Sequence, residues 1–77
     1  MTDTLPENRT ADRIQPLVKS IRDRYRSWVK DLHVEVVGDQ VVLYGRAYSY
    51  YGKQMIQEEV IRQGRLSSLS NRIEVEG

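Results

Sequence analysis

Residues 32–45 read LHVEVVGDQVVLYG. Apolar and polar residues alternate on both sides of Gly38 and Asp39, the pattern of two strands joined by a tight turn. Glycine in the first turn position supplies the positive φ that a type II′ hairpin turn needs. Such a turn sets the pairing. Val36 falls opposite Val41, Val34 opposite Leu43, and Leu32 opposite Gly45 on one face. On the other face Val37 meets Gln40, Glu35 meets Val42, His33 meets Tyr44, and Asp31 meets Arg46. The first face is apolar plus glycine; the second is mixed. A slip of one residue would exchange the faces, so burial of one of them specifies the register.

Before the hairpin the spacing changes. Ile14, Leu17, Val18, Ile21, Tyr25 and Trp28 recur every three or four residues, as on the buried stripe of an amphipathic helix. This predicts a helix from about residue 12, with Asp12 as N-cap and Pro16 tolerated in the first turn. Trp28 would finish the core or sit half exposed. Residues 1–11 show no periodicity and are expected to form a flexible arm, leaving 12–77 as a single domain.

After the hairpin, Ser49 is the expected N-cap of a helix over residues 50–63. Met55, Ile56, Val60 and Gln63 would face inward, with Gly64 as the C′ glycine and Gly52 a mild cost in the first turn. Leu69, Asn71, Ile73 and Val75 then alternate with polar residues in a last strand. Asn71 shares the inward parity and is expected to hydrogen-bond backbone. The order is α-β-β-α-β. A right-handed crossover makes the second and third strands parallel. The expected fold is an α+β two-layer sandwich: a three-stranded mixed sheet of order 2-1-3 with both helices on one face.

The chain has 77 residues, 39% of them hydrophobic and 30% charged. A domain this small buries only about 60% of the surface its unfolded chain exposes. No cysteine is present, which excludes disulfides, thiolate metal sites and cysteine nucleophiles. His33 is the single histidine, so a multi-histidine metal site is excluded too. No metal or other cofactor is expected. No apolar run approaches the roughly 20 residues of a spanning helix, and the N-terminus lacks the apolar core of a secretory signal. The sequence therefore reads as cytoplasmic or peripheral to a membrane.

The formal net charge of +1 hides a split. Arg13, Lys19, Arg22, Arg24, Arg26 and Lys30 face only Asp23 across residues 13–30, so the remainder of the chain is acidic. Lys19, Arg22, Arg26 and Lys30 recur at helical spacing and would form one basic stripe. It reads as a solvated face or as a patch for an anionic partner. A second cluster, RAYSYYGK at residues 46–53, sets Tyr48, Tyr50 and Tyr51 between Arg46 and Lys53. Tyrosine suits interfaces, with its ring buried and its hydroxyl wet. The bland alternative is that one of these rings completes the core of a chain without phenylalanine. Gly45 is read as structural, at a strand position where a helix packs close.

Catalytic patterns are absent. The spacing from Gly45 to Gly52 and Lys53 is too long for a phosphate loop, and Gln54 stands where Ser or Thr should bind magnesium. Asp31 and His33 share an open sheet face with no serine placed to attack. Glu58 and Glu59 are neighbours and diverge on a helix. No RNA-binding sheet signature and no helix-turn-helix spacing is present, so nucleic acid is not an expected partner.

The stretch from Val34 to Lys53 and the ending NRIEV resemble a BON domain. Val34 and Val36 match that family's first strand. Val41, Leu43 and Gly45 match its second, Lys53 its helix lysine, and Leu69, Asn71, Ile73 and Val75 its closing strand. Gly38 precedes Asp39 here, whereas the family's turn glycine usually follows an acidic residue. The resemblance implies an αββαβ module without catalysis that associates with phospholipid surfaces. Two readings follow. In the first, Lys19, Arg22, Arg26, Lys30, Arg46, Tyr48, Tyr50, Tyr51 and Lys53 contact an anionic lipid surface. In the second, the open sheet face with Val37, Val42 and Tyr44, or an edge strand, serves protein association or weak self-assembly.

Overall fold

A computed structural model describes residues 8–76. It contains helix α1 (Asn8–Arg24), strands β1 (Val29–Val37) and β2 (Gln40–Ala47), helix α2 (Tyr50–Gly64), and two short strands, β3 (Ser70–Asn71) and β4 (Glu74–Val75). The architecture is α+β, with two helices packed on one face of a mixed sheet.

Ile14, Val18 and Ile21 of α1 are buried against the sheet, as the helical spacing requires. The helix bounds differ from the expectation. It starts at Asn8 rather than after an Asp12 cap, so residues 8–11 are helical and Pro16 lies inside the helix. Residues 1–7 of the expected arm lie outside the described residues. It ends at Arg24, and a turn over residues 25–28 follows. The Tyr25 carbonyl accepts from the Trp28 and Val29 amides at 2.8 and 3.1 Å, which reverses the chain before Trp28 can join the helical stripe.

The β1–β2 pairing from Val37↔Gln40 to His33↔Tyr44 is the one the turn dictates. Gly38 holds φ 61°, the positive value expected of the first position in a type II′ turn. The expected pairs Leu32–Gly45 and Asp31–Arg46 do not form. Lys30 pairs with Arg46 and Val29 with Ala47, so Asp31 and Leu32 together face Gly45 in a bulge. Asp31 adopts φ 57° and Gly45 φ 155°. A Cβ on Gly45 would stand 3.1 Å from Leu32 Cα and 3.2 Å from the Lys30 carbonyl oxygen. The close approach at Gly45 is therefore to the bulged strand, not to a helix.

The bulge has a packing cause. Leu32 and Val34 point inward. Strict alternation would then turn Lys30 inward and Val29 outward. The extra residue reverses this: Val29 and Ala47 are fully buried and Lys30 is exposed. Burying an unpaired ammonium would cost several kcal/mol.

Strand order is the second correction. The last strand does run parallel to β2, but it lies beside β2, not beside β1 as order 2-1-3 required. β2 is central. α1 leads through a short turn into β1 and packs over it, while α2 contacts β2 and β4. The crossover from β2 through α2 thus lands on the nearest free edge, that of β2.

β3 and β4 are one strand interrupted. Val42↔Ser70, Leu43↔Asn71, Arg46↔Glu74 and Ala47↔Val75 keep one constant offset. The Asn71 side chain causes the break. Its oxygen accepts from the Ile73 amide at 3.0 Å, and its amide donates to the Lys53 carbonyl at 3.1 Å and to Gln57 Oε1 at 3.0 Å. The expected backbone bond of Asn71 is present within its own strand, and the side-chain amide in addition ties the strand to α2.

Ser49 caps α2: its hydroxyl oxygen accepts from the Gly52 amide at 3.1 Å. The C-terminus departs from expectation. Gly64 remains helical, and Arg65 takes the left-handed conformation at φ 54°. A Cβ on Gly64 would lie 2.8 Å from Ile14 Cδ1, so the glycine serves helix–helix contact instead of the cap. Arg13 of α1 donates to the Gly64 carbonyl across that contact. Ile56 and Val60 enter the core; Met55 is half-buried, and Gln63 and Val75 are exposed rather than inward.

Candidate functional site

Chain direction brings five segments to one end of the sandwich. They are the turn after α1, the start of β1, the end of β2, the first turn of α2 and the end of β4. Among the described residues this end carries most of the exposed large hydrophobic side chains. Tyr50 and Tyr51 are 64% and 66% exposed, Tyr48 49%, Val75 42% and Trp28 38%. The Trp28 and Tyr51 rings meet at 5.6 Å, inclined by 53°. None of the three tyrosines completes the core.

Local structure holds this cluster in place. The Tyr48 amide donates to the Trp28 carbonyl at 3.1 Å, fastening the loop before α2 to the turn before β1. Gly52 lets the first turn of α2 sit against that turn, since a Cβ there would be 3.3 Å from the Trp28 oxygen. The glycine charged as a cost in the helix is thus what allows Trp28 and Tyr51 to touch. Trp28 was readable as half exposed, but its place beside the tyrosines was not. Tyr25 packs half-buried against the core, as its own place on the stripe requires.

The expected basic stripe is divided. Lys19 and Arg22 lie on α1, Arg26 in the turn and Lys30 in β1, all exposed. Arg26 and Lys30 accompany the aromatic end, whereas Lys19 and Arg22 line a groove between α1 and β1. Arg46 is at the aromatic end of β2, where it pairs with Glu76 at 3.4 Å, with both side chains about half exposed. An exposed pair of this kind adds little stability. Lys53 lines a shallow depression with residues 70–75.

The open sheet face is more self-contained. His33 and Tyr44 stack at 5.1 Å with planes 14° apart. The Tyr44 hydroxyl donates to Glu35 at 3.3 Å. His33 Nδ1 lies 3.1 Å from the Asp31 carbonyl oxygen, so this nitrogen carries the proton in the bond. The histidine meets the backbone of Asp31, not its carboxylate. Val42 and Tyr44 are half-buried, and Val37 near the hairpin tip is 66% exposed. Far from the aromatic end, Arg62 hydrogen bonds, and then Gln63, hold the Glu59 carboxyl below its ordinary value.

Among the described residues no group of His, Asp and Glu converges as a metal cage, and no helix is long and apolar enough to cross a membrane. No protein-family model, curated protein or solved structure matches the chain.

Proposed function

We propose that this domain is a non-catalytic, BON-like binding module that docks on an anionic phospholipid surface with its aromatic end. The observation that carries the reading is the gathering of Trp28, Tyr48, Tyr50 and Tyr51, all exposed, on one end of the sandwich. Tryptophan and tyrosine partition into the membrane–water interface, where the ring is dry and the polar atom wet. Arg26, Lys30 and Arg46, the last shared with Glu76, lie at the same end, and Lys53 follows in the first turn of α2. They supply attraction to acidic headgroups, about 1 kcal/mol for each cation that reaches the surface. The module is peripheral in this reading: rings insert to headgroup depth, and no segment spans.

The test uses vesicles of phosphatidylcholine with and without phosphatidylglycerol. Trp28 is the single tryptophan, so its emission reports insertion directly. Co-sedimentation and a blue shift are expected with the acidic vesicles at low salt, both weakening at high salt. Replacing Tyr50 and Tyr51 by serine should reduce binding without unfolding the domain, because both rings are exposed. Absence of binding to acidic vesicles at low salt would exclude the reading.

A further inference from the structure

The reading above leaves Lys19 and Arg22 without a role. They stand on one wall of a groove of about 270 Å3 between α1 and β1, whose other wall is Leu32, His33 and Val34. Pro16 adds exposed apolar surface to the α1 side, and the buried Val18 lies beneath it. Neither Lys19 nor Arg22 has a salt-bridge partner among the described residues.

Among the described residues β1 is also an unpaired edge of the sheet. The turn closes on Val37↔Gln40 as a hydrogen-bonded pair, and the pattern alternates from there. Val34 and Val36 therefore direct their N–H and C=O groups away from β2, out of the free edge beside the groove. Among the described residues neither makes a further backbone hydrogen bond. The opposite edge is unlike this one, since β3 and β4 are short and broken by the Asn71 turn. The bulge at Asp31 and Leu32 ends the regular part of the β1 edge, leaving a defined segment from His33 to Val37.

We propose that this groove binds an extended, carboxylate-bearing peptide segment of another protein as an added strand on β1. Backbone hydrogen bonds to Val34 and Val36 provide the pairing. Alternate side chains of the peptide lie over the exposed Pro16 at the mouth of the groove, and its carboxylates meet Lys19 and Arg22. The complementary charge selects an acidic segment over a basic one.

The test is an amide-shift titration of the isotope-labelled full chain. The probe is a blocked peptide alternating valine and glutamate. Three comparison peptides accompany it: lysine in place of glutamate, N-methyl groups on the backbone amides, and threonine in place of glutamate with a free C-terminus. Shifts are expected at Lys19, Arg22, His33, Val34 and Val36. The lysine and N-methylated peptides should bind at least about tenfold more weakly, a difference of 1.4 kcal/mol. Binding of the threonine peptide would place the recognised carboxylate at a chain end; its failure would place it on side chains. Lys19→Glu with Arg22→Glu should lower affinity about tenfold while leaving the spectrum of the free domain folded, as both side chains are exposed. Trp28→Ala should leave the titration unchanged, which separates this site from the lipid reading.

Equal binding of the N-methylated or lysine peptide overturns the proposal. So does a titration that shifts only the aromatic end or nothing in the groove. Concentration-dependent shifts of the groove amides in the protein alone would assign the edge to a second copy and overturn it as well.

Discussion

From Val37 back to His33 the hairpin pairs residue for residue with β2, whereas two residues further on Asp31 and Leu32 share the single partner Gly45. The strand is continuous across this change, and so is its neighbour. What differs is the constraint. Near the tip, a two-residue turn and a one-sided apolar pattern dictate which residues face each other. At the open end the strand must also deliver Val29 to the core and keep Lys30 out of it. A regular ladder cannot do both. The comparison shows that local turn chemistry propagates a register only until a buried side chain further along demands another parity.

The sharpest way to break the open end is Gly45→Ala. The substitution meets both a φ of 155° and a neighbouring backbone carbon 3.1 Å from the new Cβ. Backbone strain and overpacking together should cost roughly 2–4 kcal/mol, read from urea denaturation. A loss under 1 kcal/mol would mean that the bulge relaxes easily. Val29→Ala comes next. With the bulge in place it empties a fully buried position and should cost about 2 kcal/mol. In an unbulged strand the same change would be a surface substitution, worth within about 0.5 kcal/mol.

Gly38→Ala probes the tip. Its φ is 61°, but nothing lies within 4 Å of the added carbon. Only the left-handed strain remains, about 1 kcal/mol. A thermal melt in which this variant falls further than Gly45→Ala would reverse the ranking of the two regions. The smallest effect is expected for Asp31→Gly. Relief of the positive φ at residue 31 is offset by the greater freedom of glycine in the unfolded chain, leaving a change within about 0.5 kcal/mol. Because the bulge persists, the Val29 and Ala47 amide signals should stay protected from hydrogen exchange in this variant.

The same contrast explains which parts of the molecule could be read in advance. The tip register, the Ser49 cap and the bond from the Ile73 amide to Asn71 each depend on residues a few positions apart, so their chemistry is written locally. Gly45 did carry a signal, since an isolated glycine in a strand marks a bulge or a close approach. The partner of that approach was not visible. Gly64 misled for a related reason: a glycine at a helix end suits a C′ position, yet here Ile14 on another helix uses the missing Cβ, and Arg65 accepts the strained conformation. Of the candidate site, the tyrosines were legible as a cluster. Trp28 joined them, and Lys19 and Arg22 left the shared stripe, because α1 stops at Arg24.

By itself the sequence determined the order of elements, the turn, the hairpin register near it and a core drawn from one face of each element, because periodicity and turn geometry act over short separations. Only the tertiary structure decided the central place of β2, the bulge, the end of α1 and the meeting of Trp28 with Tyr51. Each of these follows from competition among distant side chains for one small interior, and no window of sequence contains both competitors.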